Sequence, residues 1–293
     1  MNRPVEYTIT FFAWISGIIL VAAIGMLISF LLYKGIPSLN LSLVFGETSP
    51  LDALLIRKEV VDGLFPAIVG TTLLVLTSVI LAIPVGVACG IYLAEYCKTR
   101  WKPLYNFFID VLAGIPSILV GLFGFALSVF LHKHLSEHIY PCFLISSLAL
   151  ACLVLPYIIR TTEQSLGNLP FSIKTTALSL GASRLQNILF VLIPHNLSGI
   201  ISGIILAIGR CAEDTAVIML TGVVAMAGIP HSLLSQYEAL PFYIFHVSSS
   251  YNSQMELMKG FGASIILLAI CICLFTISNI LKRMAANRFA TRT

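Results

Sequence analysis

The sequence predicts an all-α integral membrane protein of about six transmembrane helices, on three observations. Of its 293 residues, 58% are hydrophobic and only 10% are charged, against roughly a quarter charged in soluble domains. Its mean hydropathy is +0.98. The apolar residues gather in six stretches, approximately 10–33, 66–93, 104–131, 143–159, 197–221 and 261–281. A helix needs about 20 such residues to cross ~30 Å of hydrocarbon at ~1.5 Å per residue. The third observation is the asymmetry of Lys and Arg between the intervening segments.

The first stretch follows Arg3, as a signal peptide would, but its apolar run is longer than an h-region and no A-x-A-like site follows Tyr33. It is read as a retained span. With the N-terminus inside, one side holds Arg3, Lys98, Arg100, Lys102, Arg160, Lys174, Arg184, Lys282, Arg283, Arg288 and Arg292. The other holds Lys34, Arg57, Lys58, Lys133 and Lys259. Eleven against five places both termini in the cytoplasm by the positive-inside rule. The expected organisation is a first helix and outer segment over 1–60, a membrane core over 61–285 and a cytoplasmic tail over 286–293. The net charge of +4 is thus a topology signal. No Arg/Lys stripe with interleaved aromatics suggests nucleic acid.

The second stretch needs no special comment beyond its length; the third carries a break signal. It contains Asp110, then Gly114-Ile115-Pro116-Ser117. Pro116 removes a helix hydrogen bond and clashes with the preceding turn, so a kink or break is expected. Gly114 allows close backbone approach, and Ser117 could cap a restarted half-helix whose N–H groups suit an anion. Asp110 fits a packing partner for Arg160 as well as a transport residue. After this stretch His132, His134 and His138 cluster with Glu137, which reads as a solvated outer loop rather than a metal site.

The fourth stretch leads into 160–195, which faces the cytoplasm and predicts two short helices. Leu169-Pro170 opens the first, with proline in the opening turn. Ile173, Ala177 and Leu180 recur at helical spacing, and Gly181 ends it. Ser183 and Gln186 make a capping-box pattern for a second helix that runs through Phe190 and stops near Pro194. A DNA-reading helix-turn-helix has this shape, but its place between two spans favours docking to a protein at the membrane face.

The fifth stretch holds Gly209-Arg210-Cys211-Ala212-Glu213-Asp214-Thr215. A charge within the bilayer costs at least ~2.5–3.5 kcal/mol and usually faces a bundle interior or watery cavity. Arg210 can meet Glu213 or Asp214 at helical spacing, and its fork of donors matches phosphate or carboxylate oxygens. An internal ion pair and an anion site both fit. If one carboxylate neutralises Arg210, the other could accept a proton from a protonated oxyanion, which separates phosphate from sulfate. Ser198, Gly199, Ser202 and Gly203 let this span pack closely. The loop 222–260 lies outside, with a short partly inserted helix possible near 240–247. The sixth stretch ends the core. The seven cysteines form no C-x-x-C pair and read as small buried residues.

These residues resemble a known family. ABC importer permeases carry a cytoplasmic signature, E-A-A, three residues, Gly, nine residues, I-x-L-P. Here Thr175-Thr176-Ala177, Gly181 and Val191-Leu192-Ile193-Pro194 stand in that register, with Thr175 for the Glu and Thr176 for the first Ala. Asp110 and Leu112-Ala113-Gly114-Ile115-Pro116-Ser117 resemble the third-span motif of the phosphate importer permeases, the PstA/PstC family. Their fifth-span pattern G-R-A-x-G-E-T is matched at Gly209, Arg210 and Thr215, with Cys211 for Ala, Glu213 for Gly and Asp214 for Glu. Ile91-Tyr92-Leu93-Ala94-Glu95-Tyr96 leans towards the PstA branch.

The resemblance implies a type I ABC importer permease of the bacterial inner membrane, translocating inorganic phosphate. Its pathway would include Arg210, Glu213, Asp214, Gly114, Pro116 and Ser117. Thr175, Thr176, Ala177, Gly181 and Pro194 would couple it to a PstB-like ATPase dimer. A PstC-like second permease and a PstS-like periplasmic phosphate-binding protein are the other implied partners, beside membrane lipid. No G-x-x-x-x-G-K-[ST] occurs, so ATP is expected to be hydrolysed elsewhere, and no cofactor or metal is expected. The alternatives are a permease for sulfate or molybdate, a PstC-type subunit, a membrane-embedded enzyme using Glu213 and Asp214, and a passive channel.

Overall fold

The computed structural model describes residues 3–54, 60, 62–135, 137 and 140–290, with side chains over 5–53, 60, 62–135, 137 and 140–284. Arg57, Lys58, His138 and Arg292 lie outside the described residues. The chain is helical almost throughout, in the order α1 (Arg3–Gly35), α2 (Leu41–Phe45), α3 (Pro50–Leu54), α4 (Phe65–Ile91), α5 (Lys102–Gly114), α6 (Ser117–His134), α7 (Phe143–Gly167), α8 (Phe171–Ser179), α9 (Arg184–Asn187), α10 (Ile193–Glu213), α11 (Ala216–Thr221), α12 (Leu240–Ser250) and α13 (Gln254–Ala290). Six spans among the described residues are long and apolar enough to cross a membrane: Val5–Ser38, Phe65–Tyr96, Ser117–His134, Phe143–Gly167, Arg184–Glu213 and Gln254–Met284.

Each of the six stretches read from the sequence overlaps one span, with three corrections. The break expected at Pro116 is present: the chain is extended at Ile115 and Pro116, which separates α5 from α6. Ser117 does not cap α6: Pro116 holds the N-cap position and no side-chain cap bond forms. The fifth stretch also breaks. α10 ends at Glu213, Asp214 is extended, and α11 restarts at Ala216. Finally, the second cytoplasmic helix does not stop near Pro194. A π-turn, Ile188–Leu192, carries α9 directly into α10, with the Ile193 N–H bonding the Ile188 carbonyl. The wider turn absorbs the mismatch in the hydrogen-bond ladder that a proline two residues into α10 creates.

α7 is the centre of the bundle. It packs against α4, α5, α6, α10 and α11. Its Leu150, Val154 and Ile158 are fully buried, among Leu74, Val75 and Val79 of α4, Ala207, Ile208 and Cys211 of α10 and Val217 of α11. In lipid the apolar surface of one helix gains nothing by meeting another, so close approach through small residues does the joining. Two glycine pairs provide it. Gly86 and Gly90 of α4 face Ile158 and Thr162, and Gly199 and Gly203 of α10 face Ser165 and Thr161. The buried hydroxyls of Thr71, Ser78, Ser146 and Ser147 each donate to the carbonyl four residues back, so none of these four meets hydrocarbon unpaired.

A side chain at position 90 has nowhere to go: its Cβ would lie 2.6 Å from Thr162 Cβ and 2.9 Å from the Ile159 carbonyl oxygen. Overpacking costs about 1–3 kcal/mol, so Gly90→Leu is expected to lower the thermal midpoint in detergent and the yield of monodisperse protein several-fold. Gly17→Leu on α1, where nothing lies within 4 Å, should leave both unchanged.

α1 stands apart from this core and touches mainly α13, where the Phe30 and Phe261 rings meet edge to face at 5.9 Å. At the outer end a second cluster, Leu43, Leu64, Ala67, Leu240 and Ala263, ties α2 and α12 to α4 and α13. The Thr71 hydroxyl accepts the first N–H of α12 from Leu240 at 2.8 Å. A third cluster, Leu166, Ile188 and Leu192, seats the cytoplasmic segment under α7.

Candidate translocation site and cytoplasmic coupling surface

The charged cluster predicted on the fifth span is assembled at the last turn of α10. Arg210 Nη1 donates to Glu213 Oε1 at 2.6 Å, and its Nη2 lies 3.9 Å from Asp214 Oδ2. Arg210 Nε is buried without a hydrogen-bond partner. Tyr157 of α7 lies close enough to act on the guanidinium electrostatically.

The two carboxylates are not equivalent. Asp214 is 3% exposed, and its Oδ1 accepts the Val217 N–H at 3.0 Å, so it opens α11 as a capping residue does. Glu213 is 62% exposed and sits at the C-terminal end of α10, where the helix dipole disfavours a negative charge. Among the described residues its hydrogen-bond and ion-pair partner is Arg210. One carboxylate is therefore built into the fold, while the other can swing away at little cost. Sequence spacing gave the pair but not this division, because the helix break at Asp214 was not foreseen.

The third-span residues reach the same depth. Gly203 meets Thr161 on antiparallel α7, so Arg210, seven residues on, lies level with about Val154, ~10 Å further out. Gly124 of α6 meets Ala149, so Ser117, seven residues back, lies level with about Pro156 by the same rise per residue. Gly121 fixes α6 laterally against Ala216 and Val217 of α11, where an added Cβ would lie 3.0 Å from Val217 Cα. Two restarted helices thus begin side by side, with Pro116 before one and Asp214 before the other. Nothing lies within 4 Å of a Cβ built on Gly114, so close packing is not what that residue provides.

Asp110 is not at this site. Arg160 of α7 donates through Nε to Asp110 Oδ1 at 3.1 Å, through Nη2 to the same carboxylate and the Asn106 carbonyl, and through Nη1 to Glu163 at 3.1 Å. Glu163, nearly buried, also meets Lys102 at 3.0 Å. This network pins α5 to α7 on the cytoplasmic side. Sequence reading anticipated only its Arg160–Asp110 member. Glu163, an acidic residue three positions after Arg160 and so on the same helix face, was the available signal for the rest.

The cytoplasmic segment folds as its turn chemistry predicts. Pro170 takes the N-cap of α8 rather than its first turn. Gly181 has φ +90°, the Gly181 N–H bonds Leu178 and the Ala182 N–H bonds Ala177, both at 3.0 Å, which is a Schellman stop. The Ser183 capping box is formed on both sides. α8 is held by Lys174 to Glu95 at 2.7 Å and by Asn187 Nδ2 donating to the Lys174 carbonyl at 2.8 Å. Thr175, half-buried, and Thr176, exposed, bond their own helix carbonyls, so neither makes the ion pair a glutamate there could make. Phe171, Leu180, Leu185 and Phe190 present exposed apolar surface. An exposed apolar patch of this kind suits contact with a protein partner. His132 stacks obliquely on Tyr140 and His134 on Phe130, and no metal-holding group occurs among the described residues.

A broken-helix bundle with an intramembrane arginine and an external coupling segment defines the membrane-spanning subunit of a transporter. The family described as binding-protein-dependent transport system inner membrane component matches residues 86–290. Phosphate transport system permease protein PstA of Yersinia pestis is 33% identical over 252 residues, 86% of this chain and 79% of that protein. PstA of Haemophilus influenzae is 30% identical over 248 residues, covering 84% and 83%. The chain belongs to the PstA family of binding-protein-dependent permeases. The fold is shared with a bacterial ABC transporter for import of the acidic polysaccharide alginate (TM-score 0.63, 13% identity, 96% of this chain and 99% of that one). It is shared too with the inward-facing MetNI methionine ABC transporter (TM-score 0.58, 16% identity, 81% and 99%). The chain is accordingly an inner-membrane transport component rather than an enzyme, and an ABC importer permease works with an ATPase and a substrate-binding partner.

Proposed function

We propose that the chain forms one half of a translocation path for inorganic phosphate, with a PstC-like permease as the other half. A PstB-like ATPase dimer docks on α8 and α9, and a PstS-like protein delivers phosphate from outside, both termini being cytoplasmic. The observation that carries the reading is the unequal carboxylate pair around Arg210. Arg210 offers phosphate a charge-assisted fork, Asp214 is already committed to α11, and Glu213 is free to move. With both carboxylates ionised the cluster is net negative, so an anion enters only as Glu213 leaves Arg210 or takes a proton. A phosphate oxygen that carries hydrogen can donate to that carboxylate; fully ionised sulfate cannot.

Gly114, Pro116 and Ser117 serve by breaking the third stretch level with Arg210, and Thr175, Thr176, Ala177, Gly181 and Pro194 shape the docking segment. The test is ATP-dependent uptake of radiolabelled phosphate into vesicles holding this chain with its three partners. Sulfate and molybdate at roughly hundredfold excess should compete less than twofold, since a site that pairs with a substrate hydroxyl rejects analogues lacking it by large factors. Equal competition by sulfate would transfer the assignment to a general oxyanion permease.

A further inference from the structure

A second cavity lies at the outer end, away from Arg210. It has a volume of about 340 Å³ and opens between α12, the start of α13, and the segments around Gly63 and Ala225. Its apolar wall is Leu64, Ala239, Phe242 and Val247. Three carboxylates face it, Asp62, Glu238 and Glu256, against one lysine, Lys259, and the imidazole of His246. Each glutamate is aimed by one backbone bond: Glu238 Oε1 accepts the Gly228 N–H and Glu256 Oε2 accepts the Asn252 N–H, both at 2.9 Å. The second oxygen of each stays available.

This chemistry selects its occupant. An excess of carboxylates over an apolar wall repels phosphate, so the cavity is not part of the ion's route. No group of three metal-ligating side chains occurs among the described residues, so the cation is not a metal held by such a set. Burial raises the Glu238 carboxyl above its ordinary value, with the Gly228 N–H opposing that shift; a cation seated beside it would relieve the cost of desolvation. The volume is at the small end for a ligand pocket and suits a long side chain whose stem is apolar and whose head is charged. Arg and Lys have that form.

We infer that this outer cavity receives a basic side chain, arginine or lysine, from the soluble binding protein that docks on the outer face. The inference rests on the proposed function for the existence of that partner; the cavity adds where the partner is gripped and by which charges. Paired this way, Glu238 and Glu256 set docking strength and its salt dependence without touching the transported ion.

The assembled transporter in nanodiscs, titrated with the soluble phosphate-binding protein of the same organism, tests this. Binding is read at low and at high salt, about 50 and 300 mM, which spans the range over which partly exposed pairs are screened. Glu238→Gln with Glu256→Gln should weaken binding roughly tenfold and flatten its salt dependence, as loss of a paired charge does. Both amides can still accept the Gly228 and Asn252 N–H bonds. Lys259→Glu should act oppositely and tighten binding several-fold, so a folding defect in the double variant cannot imitate the pair of results. Asp52→Asn, an exposed outer carboxylate bonded to Ser49 and outside the cavity, should change nothing. Unchanged affinity in both the double variant and Lys259→Glu overturns the cavity assignment alone. Absence of binding to the wild-type assembly overturns the functional reading and this one with it.

Discussion

Arg210→Gln is expected to reduce phosphate uptake by about two orders of magnitude or more while the protein still assembles. The arithmetic is that of a charge-assisted contact: removing one partner of such a pair costs about 2–5 kcal/mol, or ~30- to several-thousand-fold. The substitution leaves Glu213 and Asp214 without their cation, so the cluster becomes one charge more negative as it loses its donor fork. Arg210→Lys keeps the charge but not the planar fork, and should recover only part of the rate. Glu213→Gln should do the reverse of Arg210→Gln. It removes a carboxylate 2.6 Å from the guanidinium and is expected to lower the half-saturating phosphate concentration roughly thirtyfold, since one charge ~8 Å away at an effective dielectric near 20 is worth ~2 kcal/mol. The same variant should admit sulfate better. Initial rates against phosphate and sulfate, with binding-protein-stimulated ATP hydrolysis as the control for assembly, distinguish these outcomes. Uptake by Arg210→Gln at the wild-type rate would remove the arginine from the pathway.

Gly181→Val should uncouple transport from ATP hydrolysis. Residue 181 has φ +90°, and holding a β-branched residue there costs on the order of 1–3 kcal/mol. The Schellman bonds from 181 and 182 to Leu178 and Ala177 are what turn the chain from α8 into the Ser183 cap. Losing them swings α8 relative to α9 while leaving the Lys174–Glu95 pair as its tether. Uptake per ATP hydrolysed in reconstituted vesicles is expected to fall about tenfold, the factor that ~1.4 kcal/mol represents. Gly181→Ala, which lacks the branch, should fall less. Since no Cβ neighbour lies within 4 Å of this glycine, the effect is conformational rather than a clash, and a normal ratio in Gly181→Val would show that the turn is dispensable.

What could be read from the chain without its structure was whatever depends on short range. The length of the apolar stretches gave the six spans, and the chemistry of Gly181, Ser183 and Gln186 gave the coupling turn almost bond for bond. Pro116 announced a break for the same reason, since a missing N–H is a local fact. The break at Asp214 carried no such mark: aspartate can pair with Arg210 four residues back on a continuous helix or cap a new one. The choice is made by α6 and α7 packing against Val217. The Glu163 network was equally hidden, because it needs Lys102 and Asp110 of α5 brought to Arg160 and Glu163 of α7. The outer cavity depends on Asp62, Glu238 and Glu256 converging from separate parts of the chain, and no spacing rule links them.

The glycine contacts along α7 also say how this bundle is able to move. A joint made by α7 side chains seated directly on the backbone of Gly86, Gly90, Gly199 and Gly203 has little slack, because sliding by a fraction of a turn drives Thr161, Thr162 or Ser165 into a neighbouring residue. α4, α7 and the cytoplasmic half of α10 therefore behave as a single stiff keel. Movement delivered by a partner beneath α8 has to be spent where the chain is already interrupted, at Pro116 and at Asp214. Those two interruptions stand at one level, beside one another, next to the arginine. If an ATPase docks beneath α8 as proposed, a stroke made there would arrive as a change of tilt in α6 and α11, like an oar turning in its rowlock while the hull stays rigid.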